Sequence, residues 1–145
     1  MRARTVALLC GTALFAALLC GCAPNVAKLY ESDFDDLDIQ GRLDDVVNAA
    51  EIGEANKYVL GSVNAVKDDL LYIEPEDSRL KGINDKFIAG VDEMCEYVEA
   101  AREGDTSGMA ERLQNARSLF READRELNEY KRELEPVPED MFNDE

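Results

Sequence analysis

Apolar residues recur at helical spacing along the C-terminal part of this chain. Met109, Leu113, Ala116, Phe120, Ala123, Leu127, Tyr130 and Leu134 are separated alternately by four and three residues. Such a stripe, held for nearly four heptads, predicts a long amphipathic helix that Pro136 stops. Asp105, just after Gly104, is its expected N-cap, with Thr106 or Ser107 as alternatives. A middle segment repeats the design. Leu80, Phe87, Val91, Met94, Val98 and Ala101 follow one seam, with Ile83 beside it and Asn84 as a polar member. Pro75 suits the first turn of this helix, and Glu76 and Asp77 suit its positive dipole end. Arg102 and Gly104 are its stop signals.

Upstream lie two further seams. One is Ile39, Leu43, Val46 and Ala50; the other is Val59, Val63, Val66, Leu70 and Ile73. They are out of phase, and the slip falls at Glu51-Ile52-Gly53. Glycine costs a helix about 1 kcal/mol relative to alanine, so either a kink near Gly53 or a break into two helices is expected. No proline falls between Pro24 and Pro75, which favours one bent helix. No segment alternates apolar and polar long enough to be a strand. The expectation is an all-α chain: an antiparallel three-helix bundle over residues 34–134 with a long, kinked first helix, joined by short connections. Residues 135–145, EPVPEDMFNDE, read as a disordered acidic tail.

The N-terminus follows a different pattern. Arg2 and Arg4 precede the uncharged run Val6 to Leu19, and LFAALLCGCAPN closes it. The length fits a secretory leader and is short for a membrane span of about 20 residues. In Leu19-Cys20-Gly21-Cys22 an apolar residue stands three before a cysteine and a slim residue immediately before it. Cys20 and Cys10 lack that slim neighbour. Residues 1–23 resemble the leader and lipobox of bacterial lipoproteins. The resemblance implies cleavage after Gly21, a leader over 1–21, and diacylglyceryl attachment to the Cys22 thiol, which becomes the new N-terminus. Residues 22–33 are then the lipidated cysteine and a tether. Two acyl chains hold a protein stably on a bilayer, where one does so marginally. The alternative is an uncleaved helical anchor. The resemblance also implies a place facing outside the cytoplasm: on the cell membrane, or on the outer membrane if there are two, because Ala23 replaces the aspartate associated with inner-membrane retention.

Cleavage changes the charge and the thiols. Removing Arg2 and Arg4 leaves 14 basic against 32 acidic residues, a formal charge of −18. That balance disfavours nucleic acid and anionic headgroups and suits cations or a basic partner. Cys10 and Cys20 leave with the leader and Cys22 is capped, so Cys95 keeps the free thiol. Without a disulfide, the exported domain rests on its apolar core.

The chain has no histidine. That removes Ser-His-Asp and Cys-His catalysis, the usual zinc hydrolase sites and the Glu-x-x-His di-iron pattern. No glycine-rich phosphate loop occurs, so neither an enzymatic role nor a cofactor is expected. The acidic run from Asp33 to Asp45 offers the best metal candidates. Asp36, Asp38 and Gln40 align with positions 1, 3 and 5 of a calcium loop, Gly41 with 6 and Asp44 with 9, but Val47 stands where the bidentate glutamate belongs. An acidic helix start explains the run better. Asp92, Glu93, Glu96 and Glu99 read as a solvated face. Arg117, Arg121 and Arg125 form a basic stripe, with Glu122 and Glu129 placed to pair with Arg125 and Arg132. Cys95, beside Met94, reads as a small core side chain. Tyr130 falls on the last seam; Tyr30, Tyr58, Tyr72 and Tyr97 are available to line a partner groove.

Residues from about 40 to 134 also resemble a loose class of small helical bacterial lipoproteins, through YIEPEDSRLKGINDKF and AAREGDTSGMAERL. The class carries no catalytic residues to transfer. The expected function is that of a lipid-anchored interaction or scaffolding protein of the cell envelope, bound to the membrane through Cys22 and to a protein partner. The alternative is a lipoprotein binding a small ligand or calcium, and an apolar pocket above about 300 Å³ would favour it.

Overall fold

The structure is a computed structural model that describes residues 25–135. The chain is all-α, and the described residues form five helices: α1 Val26–Asp36, α2 Ile39–Glu51, α3 Lys57–Tyr72, α4 Ser78–Glu103 and α5 Met109–Glu133. Of the three long helices expected from the seams, the middle and the last form, as α4 and α5. The first one is divided into the end of α1, α2 and α3.

The first difference lies at the N-terminal end. Residues 26–33, expected as tether, are helical. Asn25 Oδ1 accepts from the backbone N–H groups of Ala27 (3.1 Å) and Lys28 (3.2 Å), which caps α1. Ala27, Tyr30 and Phe34 then fall on one face and are buried. Phe34 meets Phe87 of α4 at 4.8 Å between ring centroids, and Phe87 meets Phe120 of α5 at 6.5 Å. Those separations suit aromatic pairing. The helix stops at Leu37, and Asp38 takes a left-handed conformation (φ 49°) before α2 starts.

The second difference lies at Gly53. The chain breaks there, against the favoured single bent helix. Gly53 has φ 76°. Its N–H donates to Ala50 O (3.1 Å) and that of Glu54 to Ala49 O (2.8 Å). This paired pattern ends a helix on a left-handed residue, which glycine adopts without strain. Asn56 Oδ1 then accepts from Tyr58 N (2.8 Å) and Val59 N (3.1 Å) and starts α3. A glycine stop at Gly53 and an asparagine start at Asn56 reverse the chain.

Cross-helix pairs set the directions. Arg42 near the start of α2 meets Asp69 near the end of α3 at 2.6 Å. Lys67 of α3 meets Asp92 of α4 at 2.5 Å. Lys86 of α4 meets Glu122 (2.7 Å) and Glu126 (2.5 Å) of α5, while Arg79 pairs with Glu133 and Glu96 with Arg112. Each of α2 to α5 thus runs antiparallel to its neighbour in sequence. Arg117 pairs with Glu51, bringing α5 beside the end of α2. α1 lies across the end where α3 turns into α4, held by Tyr30 to Asn84 and Glu31 to Lys131.

The seams pack inwards as their spacing requires. Ile39, Val63, Val66, Leu70, Leu80, Ile83, Phe87, Val91, Met94 and Val98 are almost wholly buried. Each large one contributes about 1.5–3 kcal/mol of burial. Gly90 permits the closest approach. A Cβ there would lie 2.4 Å from Cε1 of Phe120, so the ring occupies the space a side chain would need.

Two caps also differ from expectation. α4 starts at Ser78, capped by Asp77, whose Oδ1 accepts from Arg79 N and Leu80 N at 2.9 Å; Pro75 stays in the turn. Asp105 does not cap α5. It accepts from Ser107 N (2.8 Å) in the turn, and α5 follows Gly108 (φ 71°). Gly104 (φ 75°) ends α4, matching the stop signal.

Candidate interaction surface

Cys22, the candidate lipidation site, and the leader over 1–21 lie outside the described residues, as does the acidic tail beyond Glu135. The calcium candidates are inside, and the fold does not bring them together. Asp36 ends α1, Asp38 precedes α2, and Asp44 lies one helical turn on, where Gln40 Nε2 donates to its Oδ1 (3.2 Å). A calcium loop must wrap its ion in irregular backbone. Here the chain is helical from Ile39 onward, so the later positions project outward. Gly41, aligned with the turn glycine, instead lies under the Asp38 carboxylate: a Cβ on it would lie 2.5 Å from Oδ1. Among the described residues no group of three or more Cys, Asp or Glu side chains is placed to hold a metal.

The charged rows mostly pair between helices. Asp92 and Glu96 meet Lys67 and Arg112. Glu122 turns to Lys86 rather than to Arg125, and Arg125 pairs with Glu129 one turn on (3.0 Å). Arg132 donates to Asn128 O instead of meeting Glu129. The Lys86 ammonium holds the Glu122 carboxyl below its usual range. Cys95 is half-buried, its Sγ 3.5 Å from Asn64 Oδ1. Burial pushes its thiol upward, opposed by the nearby Lys67.

The tyrosines divide into three sets. Tyr30 and Tyr97 are buried with their hydroxyls satisfied: Tyr97 donates to Ala50 O (2.9 Å) and Tyr30 to Asn84 Oδ1 (3.0 Å). Tyr130 is half-buried and donates to Asp77 Oδ2 (3.0 Å). Tyr58 and Tyr72 are 74% and 83% exposed. Asn84, the polar residue of the α4 seam, is the hub beneath α1. Its Nδ2 donates to Leu70 O (2.9 Å) and Ile73 O (3.2 Å). Those carbonyls sit at the end of α3, where helices leave acceptors unpaired. Nearby, Asp124 is held above the usual carboxylate range by burial and by Asp44.

Several clefts open on the surface of the described residues, and two of them lie between helices. The first, about 360 Å³, lies between α2 and α3 and is lined by Arg42, Asp45, Glu54, Asn56 and Ser62 beside Val46, Ala49 and Val59. It exceeds the threshold set for a ligand site in volume. However, it lies open to solvent, with apolar and polar side chains mixed along its walls, rather than forming an enclosed chamber. The second, about 230 Å³, lies where α1 meets the α3–α4 turn. Val26, Leu29, Tyr30, Ile73, Pro75 and Leu80 give it an apolar lining, and Asp33, Glu74, Glu76 and Asp77 stand around it. The sequence reading missed this cleft. Its signal was Asn25 followed by Ala27, Tyr30 and Phe34 at helical spacing, hidden among acidic residues.

The chain matches no family model, no curated protein and no solved structure to a significant degree. Among the described residues, no helix is long and apolar enough to cross a membrane.

Proposed function

We propose that this chain is a lipid-anchored helical interaction or scaffolding protein of the bacterial cell envelope, non-enzymatic, held on the membrane through Cys22 and facing outside the cytoplasm. In this reading α3, α4 and α5 keep the plan of an antiparallel three-helix frame, and α1 and α2 fold over it. The observation that carries the anchoring is the Leu19-Cys20-Gly21-Cys22 spacing after an uncharged run. The interaction reading is supported by where apolar surface remains. The seams are packed, whereas Leu29, Ile52, Tyr58, Leu71 and Tyr72 are at least half exposed on a strongly acidic surface. Leu29 lines the cleft beside α1 and Tyr58 the cleft between α2 and α3, and exposed apolar groups gathered at a cleft mark contact sites.

Chemical crosslinking in the native envelope, followed by identification of the captured protein, tests the reading. One specific partner, recovered from wild type and lost when the protein is released from the membrane, is the expected result. Recovery of none under conditions that crosslink other envelope proteins would overturn the interaction reading.

A further inference from the structure

The cleft between α1 and the α3–α4 turn continues along α1. A second depression shares Asp33, Ile73 and Glu74 with it and adds Asp36, Leu37 and Tyr72. Together they form one groove with an apolar floor and an acidic rim. Leu29 is 53% exposed on one wall and Tyr72 stands free at the far end. Four rim carboxylates, Asp33, Asp36, Glu74 and Glu76, make no ion pair among the described residues. Lys131 and Arg79 on the neighbouring helices are engaged elsewhere, with Glu31 and Glu133, which leaves Lys28 of α1 as a lone cation beside Leu29.

Unpaired like charges around an apolar trough raise the energy of the free protein. A ligand that brings both cations and apolar side chains relieves both defects at once. The two depressions, about 230 and 470 Å³, lie open to solvent along α1, which suits side chains laid into a groove rather than an enclosed metabolite. From this geometry we infer that the groove is the docking site for a cationic amphipathic segment of a partner protein, its Leu or aromatic residues on the floor and its Lys or Arg residues on the rim. The recognition is that of an apolar helix face or strand laid into a groove, with charge setting orientation and specificity. Anionic lipid headgroups fit it poorly, because the rim repels them. The proposal rests on the interaction reading and adds its surface and the chemistry of its partner.

The test uses the full chain in phosphatidylcholine nanodiscs. The probe is an amphipathic peptide of leucine and lysine that carries a photo-crosslinker. Adducts are mapped by mass spectrometry and affinity is read by anisotropy. Crosslinks on α1 and on the α3–α4 turn are expected. Asp33→Asn/Glu74→Gln/Glu76→Gln should weaken binding by about tenfold, roughly twofold for each rim charge removed. Leu29→Ser should weaken it with the rim charge intact. Glu93→Gln/Glu99→Gln/Glu103→Gln removes the same charge from the middle and far end of α4 and should change it less than twofold. Equal loss in both triple variants would mean diffuse charge attraction and would overturn the groove. So would crosslinks to lipid alone, or photoreactive phosphatidylcholine reaching Leu29 undisplaced by peptide. The two proposals fail separately. An envelope partner crosslinked elsewhere keeps the function and sinks the groove; peptide docking with no envelope partner does the reverse.

Discussion

Replacing Asn84 by leucine keeps the branching and heavy-atom count of the side chain and deletes three hydrogen bonds at once. The Tyr30 hydroxyl loses its acceptor at 3.0 Å, and the Leu70 and Ile73 carbonyls lose their donor at 2.9 and 3.2 Å. All three lie under α1, and Asn84 is 4% exposed, so water cannot readily replace the amide. An unsatisfied buried group costs about 1–3 kcal/mol. Taking the lower half of that range for three groups, less about 1 kcal/mol for the added apolar burial, gives a loss of about 3 kcal/mol. A domain of this size is stable by about 5–15 kcal/mol. With a urea slope of about 1.5 kcal/mol per molar, the midpoint should fall by about 2 M. Urea unfolding of a soluble form beginning at Ala23, followed by circular dichroism, reads that shift. A fall smaller than roughly 0.5 M on the same slope would refute the claim that this network, rather than packing alone, joins α1 to α3 and α4. A double-mutant cycle with Tyr30→Phe should return a coupling of about 1 kcal/mol.

Three further outcomes follow from the same packing. Gly90→Ala places a methyl inside the Phe120 ring contact of 2.4 Å; it should destabilise by about 1–3 kcal/mol, and Gly90→Ala/Phe120→Leu should recover part of this in the same urea assay. Tyr30 is held above its usual value of 10.0, first by burial and then by Asp124. The folded state therefore keeps the proton more tightly than the unfolded state. Its contribution is fully present below pH 10.0 and is lost as the pH rises further, at about 1.4 kcal/mol per unit; Tyr30→Phe should remove that part of the alkaline slope. Asp124 is likewise raised by burial and by Asp44. Its contribution is present in acid and lost as the pH rises through its folded value, so Asp124→Asn should raise the melting temperature at neutral pH and have little effect at pH 3.

The seams were legible in the sequence because helical burial has a fixed period. Ile39, Val63, Leu70, Phe87, Met94 and Phe120 all point inward as their spacing demands. Helix breaks were harder. Gly53 was seen to disturb the pattern, but kink and reversal differ only in whether a new cap follows. The asparagine that supplies one, Asn56, lies outside either seam. α1 was missed because its face is narrow, Ala27, Tyr30 and Phe34, and its other residues are those of a solvated tether. The groove could not be read at all. Its walls are far apart in sequence, Leu29 and Tyr72, and the long-range contacts of α1, among them Tyr30 to Asn84 and Phe34 to Phe87, bring them together. The calcium alignment counted residue types along the chain, whereas coordination depends on the backbone that presents them. Helical backbone from Ile39 onward turns those carboxylates away from one another.

The proposed anchor at Cys22 decides where every other surface works. Growing cells with labelled palmitate and isolating the protein tests it most directly. The account predicts label in the wild-type protein at the size expected after removal of residues 1–21, and in Cys22→Ala an unprocessed, unlabelled precursor. Label and cleavage persisting in Cys22→Ala, or a mature wild-type protein without label, would contradict it.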